Sequence, residues 1–432
     1  MSLTMKRMVA PRPARRASLL GAAAAMLLAS ACTTMTQPEP TRSGGSPLDE
    51  SFGSLPPSPA TIAMRWQLLN PQVNAFTFQE TGKVFAFRAV AAPAEARALA
   101  QASASATLPP TMVAGAQADY AAWAERTFTN ALLVMRDGEV VFEDYRNRMT
   151  PQTRHIAFSM SKTITAMLIG QALARGEIAS LDDPAVRYVP ALAGGGYDGV
   201  TIRNLLEMRS GADIEERYDF GENPSLAARI HETAIIRNEA RFADFATDVG
   251  RREAPGGTFN YATLDTAVLG WVLEEATGQR IEDLTEERIW QPIGAESEAY
   301  WLADGPVGVG RALNGMGFNA TLRDFARLGQ LLLDGGMVGT TRVLPEGWVA
   351  QMSAMKPLPG GGNRGGYGFQ TWKLGDEPGA FAALGLAGQF IYVHPQSRTV
   401  IVKLSYFPPA EPEWLIPETV GFFEAIANAP LP

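Results

Sequence analysis

The sequence predicts an α/β fold of the α+β type: an antiparallel β-sheet flanked by helices, with a mostly helical second subdomain inserted in the chain. Two observations predict it. Short apolar runs paired across turn residues occur once early and once late in the chain, the pattern of two β-hairpins. Between them, apolar residues recur at helical rather than alternating spacing. Strand groups at both ends are most economically joined in one sheet, leaving residues of roughly 160–335 as the helical insertion.

The elements follow in chain order. Residues 1–31 carry Lys6, Arg7, Arg12, Arg15 and Arg16 and no acid, followed by an apolar run from Leu19 to Leu28. That is the plan of a secretory signal, and the run is too short to span a bilayer as a helix. The small residues Ala29-Ser30-Ala31 before Cys32 resemble the lipobox of bacterial lipoproteins, whose cysteine is lipidated. An ordinary cleaved signal is the alternative reading. The resemblance implies export and a lipid anchor on the periplasmic side of a bacterial membrane. Residues 32–60 are rich in Thr, Ser, Gly and Pro and read as a flexible tether, because such a stretch buries too little apolar surface to order itself. The folded domain then runs over 61–432.

Within it, Ala91 to Pro110 is Ala/Pro-rich and reads as a helix and loop over the surface. Ala131 to Arg136, the turn Asp137-Gly138, and Glu139 to Glu143 form the first hairpin. Helical spacing covers Thr163 to Arg175, Ile202 to Met208, Leu264 to Ala276, Ile281 to Trp290 and Thr321 to Leu333. The second hairpin pairs Gln389 to Val393 with Thr399 to Leu404, and a helix from Leu415 to Ala427 closes the chain.

Composition excludes several functions. Lys+Arg is 37 against Asp+Glu 45, a formal charge of -8, and loss of the basic signal makes the remainder more acidic still. A nucleic-acid binder would need a basic face. Cys32 is the single cysteine, which rules out a disulfide framework or a thiolate zinc cluster, and His155, His231 and His394 are too scattered for a His-rich metal site. The run Gly315-Met316-Gly317-Phe318-Asn319-Ala320 imitates a dinucleotide fingerprint but follows no clear strand, so neither metal nor cofactor is expected. No Gly-x-Ser-x-Gly occurs, which removes the usual α/β-hydrolase reading.

What remains is a candidate nucleophile. Two serines stand three residues before a lysine, Ser159 before Lys162 and Ser353 before Lys356. Ser159 would open a long apolar helix, where unpaired N–H groups and the positive dipole end favour a developing oxyanion. Lys162, one turn on, would share its face, and burial there would let the amine lose its proton near neutrality. Ser353 would end a helix ahead of Pro357 and Pro359, and reads as a chance match. His155, four residues before Ser159, reads as structural.

From about Phe128 to Tyr406 the chain resembles the serine hydrolases of the β-lactamase and penicillin-binding-protein fold, nearest the class C-like group with esterases and 6-aminohexanoate-dimer hydrolases. The matching stretches are Phe158 to Lys162, Thr201 to Gly211, Trp290 to Gly294, Ala320 to Gly329 and Gly385 to Gln389. The resemblance implies a β-lactamase/transpeptidase-like fold with Ser159 as nucleophile and Lys162 as base. It implies Tyr261 as catalytic phenol, in Phe259-Asn260-Tyr261-Ala262-Thr263, with Thr263 in place of the usual Asn or Ser. The third motif, usually Lys/His-Thr/Ser-Gly on an edge strand, is Leu386-Ala387-Gly388 here. Gly388 would admit substrate to that strand, and the N–H groups of Ser159 and Gln389 would form the oxyanion hole. Tyr218 falls where the resembling hydrolases carry a mobile loop, and Trp372 either lines the pocket or packs in the core; both are candidate substrate contacts. The expected substrate is a small ester or linear amide. A penicillin-interacting enzyme is the alternative, against which Leu386 counts, because the missing cation helps hold the substrate carboxylate in β-lactamases. A catalytically silent binding lipoprotein is the third reading.

Overall fold

Asp137 and Gly138 both take left-handed backbone, with φ of 51° and 87°. A two-residue turn of that hand matches the twist of the strands it joins, and it closes Thr129–Arg136 onto Glu139–Tyr145 with Arg136 opposite Glu139. The computed structural model describes residues 56–306 and 308–431. The signal segment, Cys32 and all but the last residues of the tether lie outside them; Pro59 already begins a helix, Pro59–Arg65, capped by Ser58.

The two hairpins share one sheet. Thr399–Ser405 pairs antiparallel with Thr129–Arg136, Val400 opposite Met135 and Ile401 opposite Val134. The full sheet has 9 strands, in the order Lys356–Pro357, Gly366–Tyr367, Trp372–Lys373, Phe381–Gly385, Gln389–His394, Thr399–Ser405, Thr129–Arg136, Glu139–Tyr145 and Ala100–Gln101. Both faces are covered, so the central strands are buried along their length instead of alternating. Along Gln389–His394, Ile391 faces the helix Leu322–Leu333, where a Cβ on Gly329 would meet Ile391 and Val400. Its neighbours Phe390 and Tyr392 point the other way, with ring centroids 5.4 and 5.6 Å from Phe423 of the helix Leu415–Asn428.

The insertion is helical, as its spacing predicts. Ser161–Ala174 is buried on every side through Ala172, so it is a core helix and not an amphipathic surface one. It packs against Thr263–Thr277, and a Cβ on Gly170 would lie 2.3 Å from the Trp348 ring, which fixes glycine there. Ile281–Thr285 continues through a wider turn over Glu286–Trp290. Less legible is a second sheet of 4 strands, Phe87–Val90, Ala299–Leu302, Phe318–Thr321 and Arg154–Ile156. These strands are short and mostly buried, and carry no alternation to betray them. The last of them leads directly into Ser159.

One expectation fails. Ala91 to Pro110 contains no helix: Ala100–Gln101 lies as a parallel edge strand against Glu139–Val140. Ala102 and Ala106 donate to the carbonyls of Val140 and Val141 at 3.1 and 2.7 Å. Alanine propensity is worth only tenths of a kcal/mol per residue, about 0.5 against most polar residues, and an open sheet edge supplying backbone partners outweighs it. Among the described residues no helix is long and apolar enough to cross a membrane.

Candidate active site

Arg154–Ile156 ends and the chain makes one tight turn, Phe158–Met160, before the Ser161–Ala174 helix. Phe158 holds φ at 44° although it is bulky and not glycine, an unusual backbone state kept in place by burial and by an edge contact with Phe78 at 5.0 Å. That turn sets Ser159, half-buried, at the entrance to the helix.

Lys162 is 1% exposed, and its Nζ has three partners: Ser159 Oγ at 3.0 Å, Thr263 Oγ1 at 3.0 Å and the Gly315 carbonyl at 2.7 Å. Burial lowers its pKa to about 8, with Glu216 pulling the other way. An amine of that kind can lose its proton in the ordinary working range. Tyr261 lies just ahead of the Thr263–Thr277 helix, with Lys162 Nζ 5.0 Å from its ring centroid. Burial raises the phenol above its ordinary pKa, against the opposing pull of its hydrogen bond with Ser159, so it stays protonated and available as a donor. The structure therefore brings Ser159, Lys162, Tyr261 and Thr263 together.

Ser353 sits otherwise. It ends the short helix Trp348–Met352 and its hydroxyl donates to Val349 at 2.9 Å, while Lys356 pairs with Glu207 at 2.5 Å. Ser161 is also occupied, accepting from the Phe318 N–H at 3.0 Å in a buried position. His155 is wholly buried between Asn130 and the Ile156 carbonyl, and burial lowers its pKa to about 4, so it is a neutral structural imidazole.

Of the expected substrate contacts, Trp372 stands beside Tyr261 with rings 5.5 Å apart, in an aromatic wall with Tyr367 and Phe259. Tyr218 is exposed, its hydroxyl bonded to Glu216 and its ring against His231 at 4.6 Å. The third motif departs from expectation. Leu386-Ala387-Gly388 is the hairpin turn after Phe381–Gly385, and that strand is no edge, since three short strands continue the sheet beyond it. Gly388 packs on Phe407, where a Cβ would lie 2.5 Å from the ring, so its missing side chain makes room for the core. The glycine that approaches the serine's segment is Gly385, whose Cβ would sit 2.2 Å from the Ala157 carbonyl. Gln389 is fully buried; its side chain ties the turn down by donating to the carbonyls of Leu386, Ala387 and Ser405.

Two members of the cluster carry no sequence signal. The Gly315 carbonyl reaches Lys162 from the Gly315-Met316-Gly317 run, where a Cβ on Gly315 would strike Thr263 at 2.8 Å. Glu216 accepts from Thr263 Oγ1 at 2.5 Å and from the Thr263 N–H at 2.8 Å. Among the described residues no group of His, Cys, Asp and Glu is arranged to hold a metal ion.

Comparison with known proteins gives this geometry a context. The family model described as Beta-lactamase matches residues 97–415. The 6-aminohexanoate-dimer hydrolase of Paenarthrobacter ureafaciens is 33% identical over 303 residues, which is 66% of this chain and 74% of that one. Esterase EstB of Burkholderia gladioli is 30% identical over 220 residues, 44% of this chain and 54% of the esterase. Among solved structures, one from Bacillus anthracis, provisionally named a 6-aminohexanoate-dimer hydrolase, superposes with a TM-score of 0.74 at 23% identity over 86% of this chain and 98% of its own. A penicillin-binding protein from Bacillus halodurans shares the fold at a TM-score of 0.56 and 17% identity, over 71% and 99% of the two chains.

Proposed function

Because the chain belongs to the beta-lactamase family and is a serine hydrolase, we propose that it cleaves an ester or a linear amide through an acyl-enzyme on Ser159. Lys162 is the base and Tyr261 the proton donor to the leaving group. The observation that carries this reading is the buried Lys162 amine, 3.0 Å from Ser159 Oγ and drawn down to about pKa 8. As Oγ attacks the carbonyl carbon, the neutral amine takes its proton. The carbonyl oxygen becomes an oxyanion, held by the Ser159 N–H at the mouth of the helix. For the second amide, we propose Leu386 in place of the expected Gln389, because it directly follows Gly385, which lies against the serine's segment. Collapse of the intermediate expels the leaving group with a proton from Tyr261, which recovers one from Lys162. Water then attacks the acyl-enzyme by the reverse relay.

Linear esters and amides are favoured over penicillins by Leu386, which supplies no charge for a substrate carboxylate. The purified enzyme should turn over p-nitrophenyl butyrate or 6-aminohexanoate dimer far faster than nitrocefin. Faster turnover of nitrocefin than of both would establish the penicillin-directed alternative. Inertness to all three, with no covalent labelling, would leave only a binding role.

Tyr261→Phe separates the phenol's role from the base's. An amine leaving group must be protonated to depart, whereas p-nitrophenolate leaves unaided. Amide hydrolysis should therefore fall by on the order of 10²-fold or more, and p-nitrophenyl ester hydrolysis by much less. An equal drop on both substrates would hand the donor role to Lys162 or to water.

We further propose that Cys32 is lipidated and holds the enzyme at the periplasmic face of a membrane, a reading supported by the basic-then-apolar segment ahead of it. Cys32→Ser should leave catalysis intact and move the enzyme from the membrane to the soluble fraction. Unchanged membrane fractionation would rule the anchor out.

A further inference from the structure

We infer that Glu216 is a positioning residue for catalysis, aiming the Lys162 lone pair at Ser159 by fixing which way the Thr263 hydroxyl points; this rests on the Ser159–Lys162 reading above. Glu216 stands apart from its neighbours. Asp213 and Glu215 pair with Arg252, and Asp219 with Arg217, all on the surface. Glu216 turns inward and places both carboxylate oxygens on Thr263, one on its hydroxyl at 2.5 Å and one on its N–H at 2.8 Å.

Hydrogen-bond polarity then leaves one arrangement. An ionised carboxylate only accepts, so the Thr263 hydroxyl gives its single hydrogen to Glu216, on the same oxygen that takes the Tyr218 hydroxyl's hydrogen. Its free lone pair faces Lys162 Nζ at 3.0 Å, and the Gly315 carbonyl, also only an acceptor, faces the same nitrogen at 2.7 Å. When Lys162 is neutral it has two hydrogens and one lone pair. Thr263 and Gly315 take the two hydrogens, and the third direction, toward Ser159 Oγ at 3.0 Å, receives the lone pair. Without Glu216 the Thr263 hydroxyl is free to rotate and donate to Lys162, which would occupy the lone pair the serine needs.

Glu216 also supplies charge. Facing Lys162 are Glu216 from the 213–224 loop, the Tyr261 phenol ahead of the Thr263–Thr277 helix, and His231 beyond Tyr218. Asp265 on the helix and Tyr218 on the loop feel Glu216 as well, and Arg364 and Tyr367 face Tyr261 from the opposite wall. Glu216 favours the protonated amine and so opposes the burial of Lys162. Its removal should therefore move the amine's titration to lower pH.

The test is Glu216→Gln, read as the pH profile of kcat/KM on p-nitrophenyl butyrate. Glutamine is nearly isosteric, but its amide cannot accept from both Thr263 groups. The plateau should drop by on the order of 10²-fold, the scale of a misplaced general base, while the acid limb shifts to lower pH. A purely structural cap on the helix would lower the melting temperature and leave the plateau near the parental level, whatever the limb does through the lost charge. Thr263→Ser, which retains the hydroxyl, should stay within about threefold of the parent, since the bonded groups are unchanged. In a Thr263→Val background, Glu216→Gln should cost less than about threefold more, because the two act through one hydroxyl. That cycle is informative even if Glu216→Gln alone folds poorly. A Glu216→Gln plateau at the parental level, an unmoved limb, or independent multiplying losses with Thr263→Val would overturn the inference. Were Lys162→Ala also fully active, the base assignment itself would fall. With Lys162→Ala inactive and Glu216→Gln unaffected, only the role of Glu216 would.

Discussion

Lys162→Ala should cost acylation at least 10³-fold, since nucleophile and base act as a unit and removal of either disables both. Ser159 has no other candidate base in contact. His155 is neutral but fully engaged by Asn130 and the Ile156 carbonyl, and the Tyr261 phenol is held protonated by burial. The pH dependence has a definite sign. A lysine base works only without its proton, and the Lys162 pKa is lowered to about 8, so on the proposed mechanism the parent's rate should rise as pH increases through about 8. Lys162→Arg keeps the positive charge at every accessible pH and should be as inactive as alanine, with no rising limb. A Lys162→Ala enzyme that folds normally and keeps a tenth of the parental rate would mean that water or Tyr261 activates the serine.

Much of this arrangement was legible in the sequence, and the exceptions share a cause. The hairpin at Asp137-Gly138 announces itself because its turn needs two residues that tolerate positive φ, and the chain supplies them between two apolar runs. Ser159 and Lys162 are legible for a similar reason: three residues apart at the head of an apolar helix, they must share a face. Tyr261 and Thr263 are recognisable by resemblance, although nothing in their spacing places them beside Lys162. Glu216 and the Gly315 carbonyl were not legible at all. One is an acid in an acidic loop, and the other is backbone, identical at every position until the fold chooses one.

The misreadings follow the same line. Ala91 to Pro110 has helix-forming composition, but the open edge of Glu139–Tyr145 draws its backbone into pairing. Gly385 packs on the Ala157 carbonyl and Gly388 on Phe407, and which glycine meets which depends on hairpin register, which spacing alone does not give. Local signals thus pick out the candidate nucleophile, and tertiary contacts decide what surrounds it.

The second large effect is the loss of the nucleophile itself. Ser159 is half-buried at the helix mouth, 3.0 Å from the Lys162 amine. The competing serines are engaged elsewhere: Ser161 with the Phe318 N–H, and Ser353 with the Val349 carbonyl at the far end of its own helix. Ser159→Ala removes one oxygen from a position that bears no core packing, so the protein should fold and melt as the parent does while ester hydrolysis falls to the uncatalysed background. The decisive measurement is intact-mass spectrometry after treatment with a fluorophosphonate. The parent, Ser161→Ala and Ser353→Ala should each gain one adduct, and Ser159→Ala none; an adduct that survives Ser159→Ala would contradict the account.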